Sequence, residues 1–112
     1  MNENQLNKSS RHAIVRLSQR NISTKFVNIL IHYTSARIHR GDLIYLGQDK
    51  HILSFIRKGL IGVQEADKLR GLVVICSFNG QLITAYFPDK KRWKIHMRCP
   101  LYKPTDTLEV AV

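Results

Sequence analysis

The chain has 112 residues, of which 18 are lysine or arginine and 8 are aspartate or glutamate, so its formal net charge at pH 7 is +10. This length fits one domain, and an apolar fraction of 44% is enough for a core of modest size. With no run of 18 apolar residues and no apolar segment near the N-terminus, we expect neither a membrane span nor a signal peptide. The cysteines, Cys76 and Cys99, are too few for a disulfide scaffold and lack a zinc-binding spacing, which favours a cytoplasmic protein of bacterial type with reduced thiols.

Two helices joined by a very short connection are predicted near the N-terminus, after a frayed tail at 1–8. The first follows a serine cap and ends at about Arg20, where Asn21 breaks it. The second begins after a cap at Ser23 or Thr24 and runs to about residue 33. Apolar residues at helical spacing predict the core-facing sides: Ala13, Ile14, Leu17, Phe26, Val27, Leu30 and Ile31.

The middle of the chain predicts one short strand and then a helical stretch. Residues 43–46 (Leu-Ile-Tyr-Leu) are rich in strand-forming residues and lie between Gly41-Asp42 and Gly47. The stretch 50–71 has apolar residues at helical spacing and a natural helix stop at Gly59. We therefore expect a helical insertion at about 50–71.

The clearest local signal is a hairpin formed by residues 72–78 and 81–87. Both runs are rich in strand-forming residues, and between them lies Asn79-Gly80, the preferred pair for a type I′ turn. Such a turn sets three cross-strand pairs: Phe78 with Gln81, Ile75 with Thr84, and Val73 with Tyr86.

A third strand is predicted over residues 92–98, where apolar and cationic residues alternate. Residues 100–112 contain two prolines and are expected to form a loosely attached tail. The predicted class is α+β: an N-terminal helical hairpin packed on one face of an antiparallel sheet of about four strands. One domain spans 1–112, with its ordered core at about 10–98.

Positive charge is concentrated at the two ends of the chain. Residues 1–40 carry seven cations and one acid, 41–80 carry five and four, and 81–112 carry six and three, giving +6, +1 and +3. If the two ends meet in the fold they make one basic surface, which would suit a polyanionic partner such as nucleic acid. The alternative is that scattered cations serve solubility.

The first predicted helix carries His12, Arg16 and Arg20 at intervals of four residues, a spacing that places them along one face. Arg11 and Gln19 lie close to this stripe. Guanidinium groups can hold phosphates, and an imidazole can act as a general base at neutral pH. The alternative is an amphipathic helix whose cations only face water.

The predicted third strand gives a second cationic row, with an imidazole at its centre. Its alternative role is charge that protects an edge strand from aggregation. Thr84 and Tyr86 share one face of the preceding strand, where they could contact a phosphate or stack a base, or could simply be half-buried. The row and the turn before it comprise Lys90, Lys91, Arg92, Lys94, His96 and Arg98.

The run RHAIVRLSQRNIS resembles the opening of a small bacterial family of uncharacterised domains in the RelE-like ribonuclease-toxin superfamily, which groups barnase, EndoU, certain colicins and RelE. In that family the opening helix tends to read H-x3-R-x2-QR-x-I, which His12, Arg16, Gln19, Arg20 and Ile22 match. The closing strand of the family resembles Leu-Ile-Thr-Ala-Tyr at 82–86. The resemblance covers about 11–48 and 72–98, and the stretch 50–71 departs from the compact family pattern.

This resemblance implies a RelE-like (BECR) fold and an endoribonuclease of toxin type that needs neither metal nor cofactor. The ribose 2′-hydroxyl would attack the adjacent phosphate, assisted by a base, by cations and by an acid. His12 would be the first base or acid, with His96 in reserve; arginines would hold the phosphate, which Thr84 and Tyr86 would orient. The candidate catalytic residues are thus His12, Arg16, Arg20, Thr84, Tyr86 and His96, and the candidate nucleic-acid-binding residues are Arg11, Gln19, Lys90, Lys91, Arg92, Lys94 and Arg98.

Two other functions fit the same charge: a non-catalytic nucleic-acid-binding or accessory protein, and a protein-interaction module that docks an acidic partner. If the chain is a toxin, a neutralising antitoxin or immunity protein is an expected partner. Cleavage and binding are distinguished by whether His12 and His96 converge on one cleft. If the first helix lies on the sheet face opposite the second cationic row, binding is the better interpretation.

Overall fold

A computed structural model describes residues 11–103, which form five helices and four strands. In chain order these are α1 (Arg11–Gln19), α2 (Thr24–Tyr33), β1 (Arg37–His39), β2 (Asp42–Leu46), α3 (Asp49–Arg57), a 3-10 turn (Val63–Glu65), α4 (Ala66–Leu69), β3 (Val73–Cys76), β4 (Leu82–Tyr86) and α5 (Lys90–Met97). The strands form one antiparallel sheet in the order β1-β2-β3-β4. The predicted α+β class is confirmed.

The N-terminal helical hairpin is confirmed. Asn21 adopts a left-handed backbone with φ of 60°, which ends the path of α1, and the Ser23 hydroxyl accepts a hydrogen bond of 3.1 Å from the Lys25 amide at the start of α2. The serine cap predicted for α1 lies outside the described residues. The helical stretch predicted at about 50–71 is also confirmed, as α3, the 3-10 turn and α4.

A type I′ turn is found in the β1–β2 hairpin rather than where the sequence predicts it. His39 pairs with Asp42, and the two residues between them, Arg40 and Gly41, have φ of 52° and 85°. β1 itself is not predicted from the sequence, because its three residues carry almost no periodic signal.

The β3–β4 hairpin has the predicted pairs Ile75 with Thr84 and Val73 with Tyr86, but its predicted turn is wrong. Only Gly80 is left-handed there, with φ of 92°, and its amide donates to the Ser77 carbonyl over 2.9 Å. A bulge at the end of β3 shifts the register, so that Ser77 rather than Phe78 bonds to Gln81. The longer loop is favoured because the Ser77 hydroxyl also accepts the Gln81 amide, over 3.1 Å.

The predicted third strand at 92–98 is wrong, because this segment is helical as α5. The Asp89 side chain caps the helix by accepting the Arg92 amide over 2.8 Å. Trp93 and Met97 stand one helical turn apart and both pack on the sheet. An alternating pattern of only seven residues is compatible with such a helix and with a strand, so the pattern alone does not distinguish a helix from a strand here.

Helices cover both faces of the sheet, not one face as predicted. Val74 contributes to the cluster that packs against α1 to α4, whereas its neighbour Val73 belongs to a second cluster beneath α5. The second cluster contains Ile44, Leu46, Val73 and Cys99, with Ile75, Tyr86, Trp93 and Met97 packed against it. Since β3 reads Val-Val-Ile-Cys, both of its faces are apolar and both need a covering layer.

The segment 100–102 lies beside β1 and is not a loose tail. The Ile38 amide donates to the Pro100 carbonyl over 2.8 Å, and the Tyr102 amide donates to the Ala36 carbonyl over 2.9 Å. The core therefore extends past the predicted limit at residue 98, while residues 104–112 of the predicted tail lie outside the described part of the chain.

The two cysteines are buried and free, on opposite faces of the sheet. Burial raises the pKa of the Cys76 thiol to about 12, so this side chain acts as an apolar core residue.

Candidate functional site

The surface of α5 is the most strongly charged part of the described chain. Four cations of the helix and that of its C-cap residue are exposed, and we call them the α5 basic surface: Lys90, Lys91, Arg92, Lys94 and Arg98. The ion pairs formed within residues 11–103 are elsewhere, joining Lys25 to Glu65 and Arg70 to Asp49 and Asp67. Within that range, the α5 basic surface therefore has no carboxylate partner.

Three of these cations occupy the first turn of the helix: Lys90, Lys91 and Arg92. The backbone dipole of a helix disfavours positive charge at its N-terminus, where acids are the stabilising residues. Asp89 supplies one acid as the cap, but the net charge of this turn remains positive. These cations destabilise the helix on its own. A phosphate bound at this end would offset the repulsion.

On the sheet side of α5, His96 meets Tyr86 of β4. The Tyr86 hydroxyl lies 2.7 Å from His96 Nε2, and the two rings meet edge to face at 6.1 Å between centroids. The His96 side chain is buried, whereas Tyr86 is half-buried at the rim of the second cluster. α5 thus brings together two of the predicted catalytic residues.

The protonation of this pair follows from its surroundings. Burial lowers the pKa of His96, and the charges of Arg92 and His39 lower it further. Burial also raises the pKa of Tyr86, with smaller and opposing effects from Arg92 and Asp89. At neutral pH the phenol therefore stays protonated and the imidazole neutral, and the imidazole tautomer decides which of the two groups donates the hydrogen bond.

Another predicted pair is brought together at the edge of β4. Arg20 Nη1 donates to Thr84 Oγ1 over 2.8 Å and to the Ala85 carbonyl over 2.9 Å. These hydrogen bonds connect the end of α1 to β4. Arg20, which was predicted to hold phosphate, therefore has a structural role in this arrangement.

The remaining predicted residues of α1 do not join the Tyr86–His96 pair. Arg11, His12, Arg16 and Gln19 are all exposed on α1. α1 packs on the face of the sheet that carries Val74, and α5 packs on the opposite face. His12 and His96 therefore lie in different layers, and the predicted convergence of two imidazoles on one cleft does not occur.

A groove of about 630 Å³ runs beside α5, and sequence reasoning missed it. It opens between α5 and the loops that precede α3 and β3, and Trp93 lines it. The alternation at 92–98 predicts Trp93 on the apolar face of a strand. The spacing of Lys90, Trp93, Lys94 and Met97 would have indicated one helical face, but only once this segment is known to be a helix.

Two further properties concern residues 11–103. No three side chains of His, Cys, Asp or Glu come together there as metal ligands would. None of the helices in this range combines the length and apolar composition that crossing a bilayer requires.

Comparison of the chain with family models, with curated proteins and with solved structures found no match. The assignment of a function therefore depends on the geometry described above.

Proposed function

We propose that the protein binds nucleic acid, RNA in the first instance, through phosphate contacts with the α5 basic surface. The observation that carries this proposal is the group of five exposed cations without a carboxylate partner in residues 11–103. Counterion release from phosphates is the main source of affinity for such surfaces.

The separation of the two basic layers favours binding over cleavage. His12 and His96 lie on elements that cover opposite faces of the sheet, so they cannot serve as base and acid on one phosphate. His96 is buried, and its Nε2 is engaged by Tyr86. A general base must reach the proton that it removes, so the buried imidazole could act on RNA only through the Tyr86 hydroxyl.

A binding experiment with a matched control tests the proposal. Labelled single-stranded RNA is titrated with the full chain in EDTA, followed by fluorescence anisotropy and by gel. We expect intact RNA in a salt-sensitive complex, weakened in the double variant Lys91→Ala/Arg98→Ala. The control Arg11→Ala/Arg16→Ala removes the same charge from α1 and should bind nearly as the parent does. Equal weakening in both variants, or no complex at all, would refute the proposal.

A second candidate function is metal-independent RNA cleavage, and it rests on the Tyr86–His96 pair. A neutral imidazole hydrogen-bonded to a phenol, with Arg92 close enough to influence both pKa values, has the elements of an acid–base centre. The other ground for this candidate is the resemblance to the RelE-like superfamily, from which the chain departs in having β1 between α2 and the strand bounded by Gly41 and Gly47. α5 is a further departure, because a helix at Lys90–Met97 falls within the range 72–98 that the resemblance covers.

This candidate is tested with total RNA and with tRNA in EDTA, with fragments examined for cyclic phosphate ends. Cleavage that is lost in His96→Ala but retained in His12→Ala would establish it and place the centre beneath α5. Intact RNA under conditions in which the complex forms would leave binding as the function.

A further inference from the structure

The groove beside α5 is lined by one aromatic side chain, by three cations and, on the side opposite α5, by two glycines among other residues. Its aromatic wall is Trp93, which packs against the second cluster and also lines the groove. Gly47 and Gly71 lie in the opposite lining, joined by a hydrogen bond of 2.9 Å from the Gly71 amide to the Gly47 carbonyl. A Cβ at Gly47 would clash with the Leu69 carbonyl oxygen, so this close approach of two backbones requires glycine at the position.

The charges that line the groove are of two kinds. The Asp49 carboxylate is held by Arg70 at 2.7 Å, and the Asp89 carboxylate caps α5, so both acids are already engaged. Lys90 and Lys94 have no ion-pair partner in residues 11–103. Free positive charge in the groove therefore comes from the α5 side, next to Trp93.

The spacing of these residues on α5 places them together. Lys90 and Lys94 are one helical turn apart, and Trp93 lies between them in the sequence on the same side of the helix, since all three line the groove. An indole beside two ammonium groups on one helical face can stack a base while the ammonium groups bind the neighbouring phosphates. Proteins that bind single strands combine base stacking on aromatic side chains with cations along the backbone in this way.

We propose that this groove takes one unpaired nucleobase, stacked on the Trp93 indole, with the neighbouring phosphates bound by Lys90 and Lys94. The occupant is thus single-stranded nucleic acid, whose bases are free to leave the stack. A volume of about 630 Å³ lies within the range of sites that take small ligands. This inference rests on the proposed function and specifies the substrate class of the same surface.

The test uses the fluorescence of Trp93, the single tryptophan of the chain. The full chain is titrated with a short oligoadenylate and, separately, with an abasic sugar-phosphate oligomer of equal length, while binding is followed by anisotropy of a label on each oligomer. We expect both oligomers to bind and only the oligoadenylate to quench the indole. Equal quenching by both, or binding of the oligoadenylate without quenching, would overturn the inference.

A variant supplies the second measurement. Trp93→Leu keeps an apolar side chain against the second cluster but removes the stacking surface. We expect it to bind oligoadenylate roughly 10-fold more weakly, as the loss of one stacked base predicts, and to bind the abasic oligomer unchanged. An unchanged affinity for oligoadenylate would overturn the inference.

The two proposals fail in different ways. If the abasic oligomer binds but the indole is not quenched by oligoadenylate, the base site is refuted while phosphate binding stands. If neither oligomer binds the parent chain, the proposed function is refuted together with the inference. The quenching comparison uses the parent chain alone, so it remains decisive even if Trp93→Leu fails to fold.

Discussion

Removal of Lys91 and Arg98 from the α5 basic surface has a calculable effect on the salt dependence of RNA binding. For single strands, each phosphate contact contributes about −0.7 to the slope of log K against log salt. If all five cations of the surface contact phosphates, the parent slope is about −3.5 and that of the double alanine variant about −2.1. Between about 50 and about 200 mM salt, affinity then falls roughly 130-fold for the parent and roughly 20-fold for the variant.

The assay is anisotropy of a labelled single-stranded RNA, repeated over this range of salt. Neither residue lines the groove beside α5, so the change in slope reports phosphate contacts alone. The variant Arg11→Ala/Arg16→Ala provides the control, since it removes two exposed cations from the opposite layer. The reasoning would be refuted if the slope became shallower in Arg11→Ala/Arg16→Ala but stayed at about −3.5 in Lys91→Ala/Arg98→Ala.

Three further predictions concern stability. Because folding lowers the pKa of His96, the imidazole is protonated in the unfolded chain at a higher pH than in the folded chain. The free energy of unfolding should therefore decrease as the pH falls below about 6.5, and it should decrease less steeply in His96→Gln. Urea titrations at several pH values measure both. Arg20→Ala loses two hydrogen bonds to β4 and should cost about 1 kcal/mol in urea unfolding, whereas Arg16→Ala, exposed on the same helix, should change it by less than about 0.5 kcal/mol. Gly47→Ala would place a Cβ 2.1 Å from the Leu69 carbonyl oxygen and should cost more than about 2 kcal/mol, measured by thermal unfolding.

Each of these outcomes has a contrary result. The pKa of His51 is lowered too, by burial first, so His96→Gln should retain part of the pH dependence; the full dependence in that variant would exclude His96 as a source. Equal costs for the two arginine variants would show that the bonds to β4 are not stabilising. For the glycine, Gly59→Ala is the comparison, because its Cβ would meet nothing within 4 Å and only its φ of +75° is unfavourable. A Gly47 variant as stable as the Gly59 variant would contradict the close approach to Leu69.

The helical hairpin and most of the sheet could be predicted because their signals are local. Asn21 and Ser23 mark the end of one helix and the start of the next, and both act in the structure as their side chains predict. The central pairs of the β3–β4 hairpin follow from the two runs of strand-forming residues. The details of its turn do not, because the Ser77 hydroxyl competes for the Gln81 amide and lengthens the loop.

The location of the second layer could not be predicted, because it depends on one ambiguous segment. The seven residues from Arg92 to Arg98 alternate in polarity, yet Trp93 and Met97 also fit one face of a helix. The deciding factors are the cap at Asp89 and the apolar sheet face that needs a cover, and the second of these is a tertiary property.

The cations of α5 and the residues of the Tyr86–His96 pair were predicted, but their arrangement and the groove lined by Trp93 were not. Tyr86 and His96 are both on the list of candidate residues, and their contact across 2.7 Å depends on the helical form of α5. The grouping of His12 with His96 fails because their elements pack on opposite faces. The sequence identifies which charged residues can bind a polyanion. The order of the layers in the fold determines which of these residues can bind the same polyanion together.

The most direct test of the account is a nuclear magnetic resonance titration of the isotope-labelled full chain with short single-stranded RNA. We predict that backbone amide shifts concentrate in α5 and around the groove at Gly47 and Gly71, and that the amides of α1 remain unmoved. Shifts concentrated in α1 with α5 unchanged would contradict the central claim that α5 carries the nucleic-acid-binding surface.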